Sequence, residues 1–295
     1  MDTDRLIELD GVRFGYPGAA ELFAGIDLAV GRGERVGLVG ANGSGKTTLF
    51  HVIVGLARHT AGTLRVAGRA VESAADYGRV RREVGFLFQN SEDQLFCPTV
   101  AEDVAFGPLN LGLAPAEAEA VVAETLASLD LTGYADKVTS RLSGGEQRLV
   151  ALATVLAMRP AALLLDEPAA GLDPRGRSRL AALLDRIGGT QVISSHDMEF
   201  VRATCRRVIV LDRGAVVADG PTDAVLGDAE LMLRCGLERP YSLGLHPGAE
   251  HHDHRHGAGP SHGHGHDGAH STRQHERPGP ARPEAEGREY TSSPS

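Results

Sequence analysis

Several residue types are scarce in this chain. It has no tryptophan, three cysteines and two lysines, Lys46 and Lys137, in 295 residues. Cys97, Cys205 and Cys235 are odd in number, widely spaced and without a C-x-x-C pair. That argues against a disulfide framework or a thiolate zinc site and suits a reducing cytosol. The first residues, Met1-Asp2-Thr3-Asp4-Arg5, contain no apolar signal-peptide core, so nothing there suggests export. No apolar run approaches the ~18 residues that a membrane helix requires. The longest candidate, Leu149 to Met158, reads as a buried helix face, so work at a membrane would need another chain to span it. Acidic residues outnumber basic ones, 39 to 30. The net charge of −9 argues against broad, sequence-independent nucleic-acid binding. The remaining composition, 42% hydrophobic and 23% charged, is that of an ordinary globular protein with room for one large domain or two smaller ones.

Glycine is plentiful, at 37 residues, and one of the two lysines follows a glycine cluster. Gly40-Ala41-Asn42-Gly43-Ser44-Gly45-Lys46-Thr47-Thr48 fits the phosphate-loop pattern G-x-x-x-x-G-K-[ST]. The glycines let successive N–H groups point at phosphate oxygens, and the helix starting near Gly45 offers its positive end to the same anion. Lys46 would reach the β- and γ-phosphates, and the Thr47 hydroxyl would sit on Mg²⁺. The flanks agree, with Arg35 to Val39 reading as a short buried strand and Leu49 to Ile53 as the following helix. A nucleoside triphosphate is expected here.

Before this loop, Leu6 to Phe14 and Leu22 to Val30 alternate apolar and polar residues around the turn Gly15-Tyr16-Pro17-Gly18, which predicts a strand pair. A further strand, Gly62 to Val66, follows the phosphate-loop helix, and Val84 to Phe88 is a compact apolar run ending at Gln89. From Asn90 to about Met158 the pattern is helical. Pro115 opens one helix, with Val121, Val122, Thr125, Leu126 and Leu129 on one face. Another starts at about Gly144, with Leu149, Leu152, Ala153 and Leu156 on one face, and stops before Pro160. Strands return at Ala162 to Leu165, Gln191 to Ser195 and Val208 to Leu211, so a helical insert interrupts a largely parallel α/β core.

Four of the core strands are each followed by polar groups. Val39 precedes the phosphate loop, Phe88 precedes Gln89, Leu165 precedes Asp166-Glu167, and Ser195 precedes His196. Open parallel sheets bind ligands beyond the carboxyl ends of their strands, so all four groups would surround one nucleotide. Asp166, after three leucines, is placed for Mg²⁺, and Glu167 is then the candidate base that orients the attacking water. Leu142-Ser143-Gly144-Gly145-Glu146-Gln147 offers a second anion-facing helix start with a serine hydroxyl. One phosphate loop and a second such start invite a site shared between two subunits.

The ordered set of phosphate loop, Gln89, Leu142 to Gln147, Asp166-Glu167, Gly171-Leu172-Asp173 and His196 resembles an ATP-binding-cassette (ABC) ATPase over about Leu6 to Leu226. The resemblance implies a RecA-like P-loop core with an N-terminal antiparallel β subdomain and a helical subdomain insert at about 90–158, together spanning 1–245. It implies ATP and Mg²⁺ as cofactors. Tyr16 would stack on adenine, Gln89 would contact Mg²⁺ and the water, and His196 would hold the γ-phosphate and the water. Ser143 and Gly145 would touch the γ-phosphate bound by the opposing subunit of a homodimer or heterodimer, and Asp173 would join the dimer contact. Phe88 to Phe96, continued by Thr99 to Pro108, is similar to the energy-coupling-factor (ECF) importer ATPases, in which this region faces a transmembrane coupling subunit. Ser91 departs from the proline common there and Ala169 from a common threonine. Neither change touches the expected chemistry. The resemblance places the protein peripherally, at the cytoplasmic face of the membrane.

After about Leu245 the composition changes, and ten of the 13 histidines lie at or beyond His246. Such a segment, 246–295, cannot bury a core and is expected to be disordered. His251, His252, His254, His256, His262, His264, His266, His270 and His275 offer imidazoles that suit Ni²⁺, Co²⁺, Zn²⁺ or Cu²⁺. Joined to the importer resemblance, this tail points to cobalt or nickel as cargo, with a separate substrate-binding membrane subunit. The alternatives are an ECF ATPase for vitamin uptake and a soluble ABC ATPase of DNA repair or translation. The latter is disfavoured by the single cassette and by the lack of a sustained heptad pattern. A nickel-inserting GTPase has no place for Leu142 to Gln147 or His196.

Overall fold

A computed structural model describes residues 4–244, which form two sheets with helices packed around them. The first sheet is antiparallel. β1 (Arg5–Gly15) pairs with β2 (Glu21–Gly31) as the alternation predicts. Ile7 and Leu9 are buried, and so are Val12 and Phe14, which lie on the opposite phase of the period-2 repeat. A register shift between Leu9 and Val12 absorbs the extra residue, so both halves of the strand face the core. The other edge of β1 takes β4 (Ala61–Val66), which carries the two-residue β5 (Arg69–Ala70).

The second sheet comprises β3 (Arg35–Val39), β6 (Val84–Leu87), β7 (Ala162–Asp166), β8 (Thr190–Ser194), β9 (Arg207–Asp212) and β10 (Ala215–Pro221). Its order is β10-β9-β3-β8-β7-β6, parallel throughout except for β10. β7 and β8 are buried at every position, as strands covered on both faces should be, although Thr190, Gln191 and Ser194 of β8 and Asp166 of β7 are polar. Alternate residues serve two cores. Leu163 and Leu165 join a cluster with the helices, whereas Ala162 and Leu164 join one with the N-terminal sheet.

The helices are α1 (Lys46–Val54), α2 (Ala74–Glu83), α3 (Val100–Asn110), α4 (Pro115–Ser128), α5 (Gly144–Leu156), α6 (Pro174–Ile187), α7 (Met198–Thr204), α8 (Thr222–Gly227) and α9 (Ala229–Arg234). The helical insert is present as α3, α4 and α5, preceded by a single 3₁₀ turn at Ser91–Asp93. Capping boxes start α3 (Thr99 with Glu102) and α5 (Ser143 with Glu146). On α4, Val122, Thr125, Leu126 and the following Leu129 are buried as expected, with Val121 half-buried.

On α5 the expected single face needs correction. Leu149 and Leu156 are only half-buried, while Val150, Ala151 and Val155 are buried beside Leu152 and Ala153. The cause is position, because α5 packs against α3, α4 and β6 and no one stripe suffices. Strand ends also shift, with β6 stopping at Leu87, β7 reaching Asp166 and β8 stopping at Ser194. Sequence patterning showed no sign of α2, whose buried residues are only Tyr77 and Val80, nor of β10, α8 and α9. Among the described residues no helix is long and apolar enough to cross a membrane. The histidine-rich segment, its expected disorder, and His251, His252, His254, His256, His262, His264, His266, His270 and His275 lie outside the described residues.

Candidate nucleotide site

The parallel strands bring their carboxyl ends to one edge of the sheet, and every strand-end group predicted from sequence emerges there. β3 runs into the Gly40 loop, β8 into Ser195-His196, β7 into Asp166-Glu167, and β6 through Phe88 into Gln89. A groove of about 680 Å³ opens at this edge. Asn42, Gly43, Gly45, Lys46, Thr47 and Thr48 line it together with Tyr16, Gln89, Asp166 and Glu167.

The loop is held by close packing. At Gly40 a Cβ would lie 2.2 Å from the Leu211 carbonyl oxygen and 2.5 Å from Ser44 Oγ, so no side chain fits. Gly45 caps α1 in a left-handed conformation with φ of 109°, and a Cβ there would meet the Phe23 ring at 2.7 Å. Ser44 is buried beneath the loop, and its carbonyl accepts from Gly214 N at 3.0 Å. Lys46 Nζ donates to the carbonyls of Gly40 at 2.7 Å and Ala41 at 3.2 Å. Burial pushes its ammonium down from the ordinary lysine value, and the carboxylates of Glu167 and Asp166 oppose that shift. A cationic side chain at the mouth of an N–H-lined loop fits a polyphosphate.

Thr47 Oγ1 donates to Asp166 Oδ2 at 2.7 Å. A hydroxyl and a carboxylate so placed are hard oxygen donors of the kind Mg²⁺ takes, so the pair fits that ion. The other Asp166 oxygen accepts a short hydrogen bond from Ser194 Oγ. Ser194 also receives Glu167 N, at 3.0 Å on its hydroxyl and 3.1 Å on its carbonyl. Those bonds hold Glu167 at φ 46°, a left-handed conformation that costs a non-glycine residue roughly 1–2 kcal/mol. Glu167 is only 7% exposed, and its carboxylate accepts from His196 N at 3.3 Å and lies 2.8 Å from His196 Nδ1. Glu167 also borders a second cavity, of about 290 Å³, shared with Gly171, His196 and Tyr241. A buried carboxylate against an imidazole at the mouth of a phosphate site is suited to orienting water.

Tyr16 is half-exposed at the groove rim, with its hydroxyl 3.0 Å from Thr48 Oγ1 and its ring edge-on to Phe14 at 4.9 Å. The remaining predicted residues lie away from this groove. Ser143 and Gly145 border a different cavity, of about 260 Å³, with Leu172 and Arg148. Gly144 starts α5, and the Ser143 hydroxyl donates to Glu146 Oε2 at 2.7 Å. Asp173 caps α6, accepting from Gly176 N at 2.6 Å.

Two residues that sequence reading missed hold the site together. Ser194 bridges Asp166 and Glu167 as described. Arg148, 9% exposed, donates from Nη1 to the Phe88 carbonyl oxygen at 3.2 Å, immediately before Gln89. Burial pushes its guanidinium down, against the pull of Asp166 and Glu167. A serine closing the core strand directly after Val192-Ile193, and an arginine beside the apolar face of α5, were the available signals.

Comparison with known proteins agrees with this geometry. A family model described as ABC transporter matches residues 23–170. A putative ABC transporter ATP-binding protein of Nitratidesulfovibrio vulgaris is 47% identical over 251 residues, covering 84% of this chain and 92% of that protein. The energy-coupling factor transporter ATP-binding protein EcfA of Methanothermobacter thermautotrophicus is 43% identical, covering 81% of this chain and 78% of that one. Among solved structures, cbiO1 of Clostridium perfringens, part of the ABC transporter complex cbiONQ, superposes with a TM-score of 0.71 at 32% identity, covering 82% of this chain and 98% of that chain. A dimeric cassette bound to ADP and Pi in a post-hydrolysis state gives a TM-score of 0.66 at 26% identity, covering 74% and 99%. The chain belongs to the ABC transporter family and is an ATP-hydrolysing subunit of such a transporter.

Proposed function

We propose that this subunit powers import of a transition-metal ion, cobalt or nickel, through a separate ECF-type membrane subunit at the cytoplasmic face of the membrane. A substrate-binding membrane subunit completes the assembly. The observation that carries the metal reading is compositional: ten of the 13 histidines fall in a single segment that begins at His246. Among the described residues no group of three or more His, Cys, Asp or Glu is placed to hold a metal ion, so the reading rests on those tail imidazoles. Similarity to EcfA and to cbiO1 supports the ECF-type assembly.

In this reading two cassettes, identical or paired with a second type, close on two ATP molecules, and Ser143 and Gly145 of one complete the site built on Lys46, Asp166, Glu167 and His196 of the other. Two facts support it: Ser143 and Gly145 lie outside the groove of their own chain, and a relative of similar fold is a dimer. Tyr16 stacks on adenine, Gln89 contacts Mg²⁺ and the water, and Asp173 joins the dimer contact. The membrane subunit docks on the apolar groove of about 440 Å³ lined by Phe86, Phe88, Phe96 and Phe106. Phe96 and Phe106 are exposed and packed edge to face at 4.8 Å, an apolar pair that a partner would cover.

The test is accumulation of Ni²⁺, Co²⁺ and a vitamin in cells with and without the intact transporter. Metal uptake lost with the ATPase supports the reading, and loss of vitamin uptake alone overturns it. Calorimetry on the full chain at pH 7 and pH 5 then tests the tail. Metal affinity no better than millimolar at pH 7, or unchanged at pH 5, removes the tail from metal handling, because ligation needs deprotonated imidazole.

A further inference from the structure

Glu146 occupies an awkward place for a carboxylate. It lies in the first turn of α5, beside the Ser143 hydroxyl proposed above to meet the γ-phosphate of the opposing subunit. Its Oε2 accepts from Ser143 N at 2.8 Å and Ser143 Oγ at 2.7 Å. The single hydroxyl proton of Ser143 is therefore directed at Glu146, and to serve a phosphate it must turn away. An uncompensated negative charge at this helix start would also repel the phosphate that the helix N-terminus attracts.

The structure supplies a counter-charge. Tyr134 Oη donates to Glu146 Oε1 at 2.7 Å. Lys137 Nζ lies 3.6 Å from the same oxygen and 3.2 Å over the centre of the Tyr134 ring. Lys137 is one of only two lysines in the chain, and the other, Lys46, is in the phosphate loop. Its backbone is fixed from both sides, since Lys137 N donates to the Tyr134 carbonyl at 2.9 Å and its own carbonyl accepts from Val100 N at 3.1 Å. The ammonium is thus placed to neutralise Glu146 and to hold the ring whose hydroxyl occupies the second carboxylate oxygen.

We infer that Lys137, acting through Tyr134 and Glu146, is a positioning residue that sets the charge and hydroxyl direction of Ser143, and so controls how well one subunit accepts the nucleotide held by the other. The inference rests on the composite-site reading. With Lys137 and Tyr134 satisfying Glu146, the Ser143 hydroxyl is free to exchange the carboxylate for phosphate, and the net charge of the cluster stays near zero. Without Lys137 the same helix start carries an unbalanced carboxylate.

The experiment compares ATP-driven dimerisation of the full chain, by sedimentation, for wild type, Lys137→Met, Lys137→Arg and Lys137→Met combined with Glu146→Gln. Lys137→Met is expected to weaken dimerisation by roughly three- to tenfold, from loss of one ion pair and one cation–π contact. ATP affinity of the dilute, monomeric chain should not change, because Lys137 is remote from the groove that the chain itself provides. Lys137→Arg should retain most of the effect, and Glu146→Gln should restore dimerisation to Lys137→Met by removing the charge that needed balancing. Wild-type dimerisation by Lys137→Met, or no recovery in the double variant, overturns the inference. Ser143→Arg separates the two layers: if it too dimerises normally, the composite-site reading fails, whereas a dimerisation defect confined to Ser143→Arg sinks only the role of Lys137.

Discussion

Arg148 Nη1 donates to the Phe88 carbonyl oxygen at 3.2 Å, and that bond joins α5 to the segment that delivers Gln89 to the nucleotide groove. The guanidinium is buried without a carboxylate in salt-bridge range among the described residues, so it serves position more than stability. Arg148→Met keeps the apolar stem and removes the donor. Hydrolysis is expected to fall by at least tenfold while the unfolding free energy changes by less than about 1–2 kcal/mol. Steady-state hydrolysis and a denaturant titration on the same samples check this. A large stability loss with unchanged turnover would make Arg148 a packing residue only.

Ser194 ties the two acidic residues of the site to each other. It donates to Asp166 and accepts from Glu167 N at 3.0 Å, all in a fully buried setting. Ser194→Ala leaves the Glu167 N–H satisfied by the Ser194 main-chain carbonyl, but removes one of the two hydrogen bonds that orient Asp166. The half-saturating Mg²⁺ concentration for hydrolysis is expected to rise several-fold, at a stability cost of about 1–2 kcal/mol. A Mg²⁺ titration identical to wild type would show that Thr47 alone orients Asp166.

How far the sequence carries this picture depends on what kind of signal each residue leaves. Lys46 and Thr47 could be placed from the phosphate-loop pattern, and Asp166 and His196 because they come at the ends of core-strand runs, which a parallel sheet sends to one edge. The N-terminal strand pair was legible from alternation, although the phase change at Gly11 that lets Leu9 and Val12 share a core was not. Arg148 and Ser194 were missed because their partners are 60 and 28 residues away, and only tertiary packing makes those pairs. The burial of α5 departed from a single stripe for the same reason. α2 escaped because its surface is nearly all polar and its two buried residues, Tyr77 and Val80, leave no periodic pattern.

The Glu146 carboxyl is pushed down to about 2 from its ordinary 4.5, chiefly by the Ser143 hydroxyl, then by the Tyr134 hydroxyl and the Ser143 N–H. A carboxylate whose folded value lies below its unfolded one adds stability above the unfolded value and loses it as pH falls through the folded value. The contribution is therefore complete above pH 4.5 and disappears between there and 2. Glu146→Gln should differ from wild type by a constant amount near neutral pH, and the difference should shrink as the pH drops below 4.5. Denaturant midpoints of both proteins at several pH values test it, and a gap that stays constant down to about pH 3 would contradict it.

Phe96 and Phe106 are 65% and 48% exposed, yet they pack on each other as core aromatics do. An apolar pair of this size at the rim of a groove gains by being covered. Phe96→Ser with Phe106→Ser should leave ATP affinity and the thermal midpoint within a few degrees of wild type, since little buried surface is lost. Co-purification with the membrane subunit should fall by at least tenfold. Retained co-purification would move the docking surface elsewhere on the cassette.

Glu167 is the residue we propose as the base that orients the attacking water. Its carboxylate is buried, its backbone is held in a left-handed conformation by Ser194, and one oxygen is shared with His196 at 2.8 Å. Glu167→Gln preserves shape and most of the hydrogen bonding while removing the capacity to take a proton from water. Hydrolysis should fall by roughly 10²–10⁴-fold, the span typical of a lost general base, with ATP binding retained. If two cassettes close on two nucleotides, this variant should accumulate as an ATP-bound dimer that elutes ahead of the monomer, and EDTA should reverse it by withdrawing Mg²⁺. Near wild-type turnover would remove Glu167 from the role of base. Lost turnover without a stable dimer would instead leave the base in place and overturn the shared-site reading.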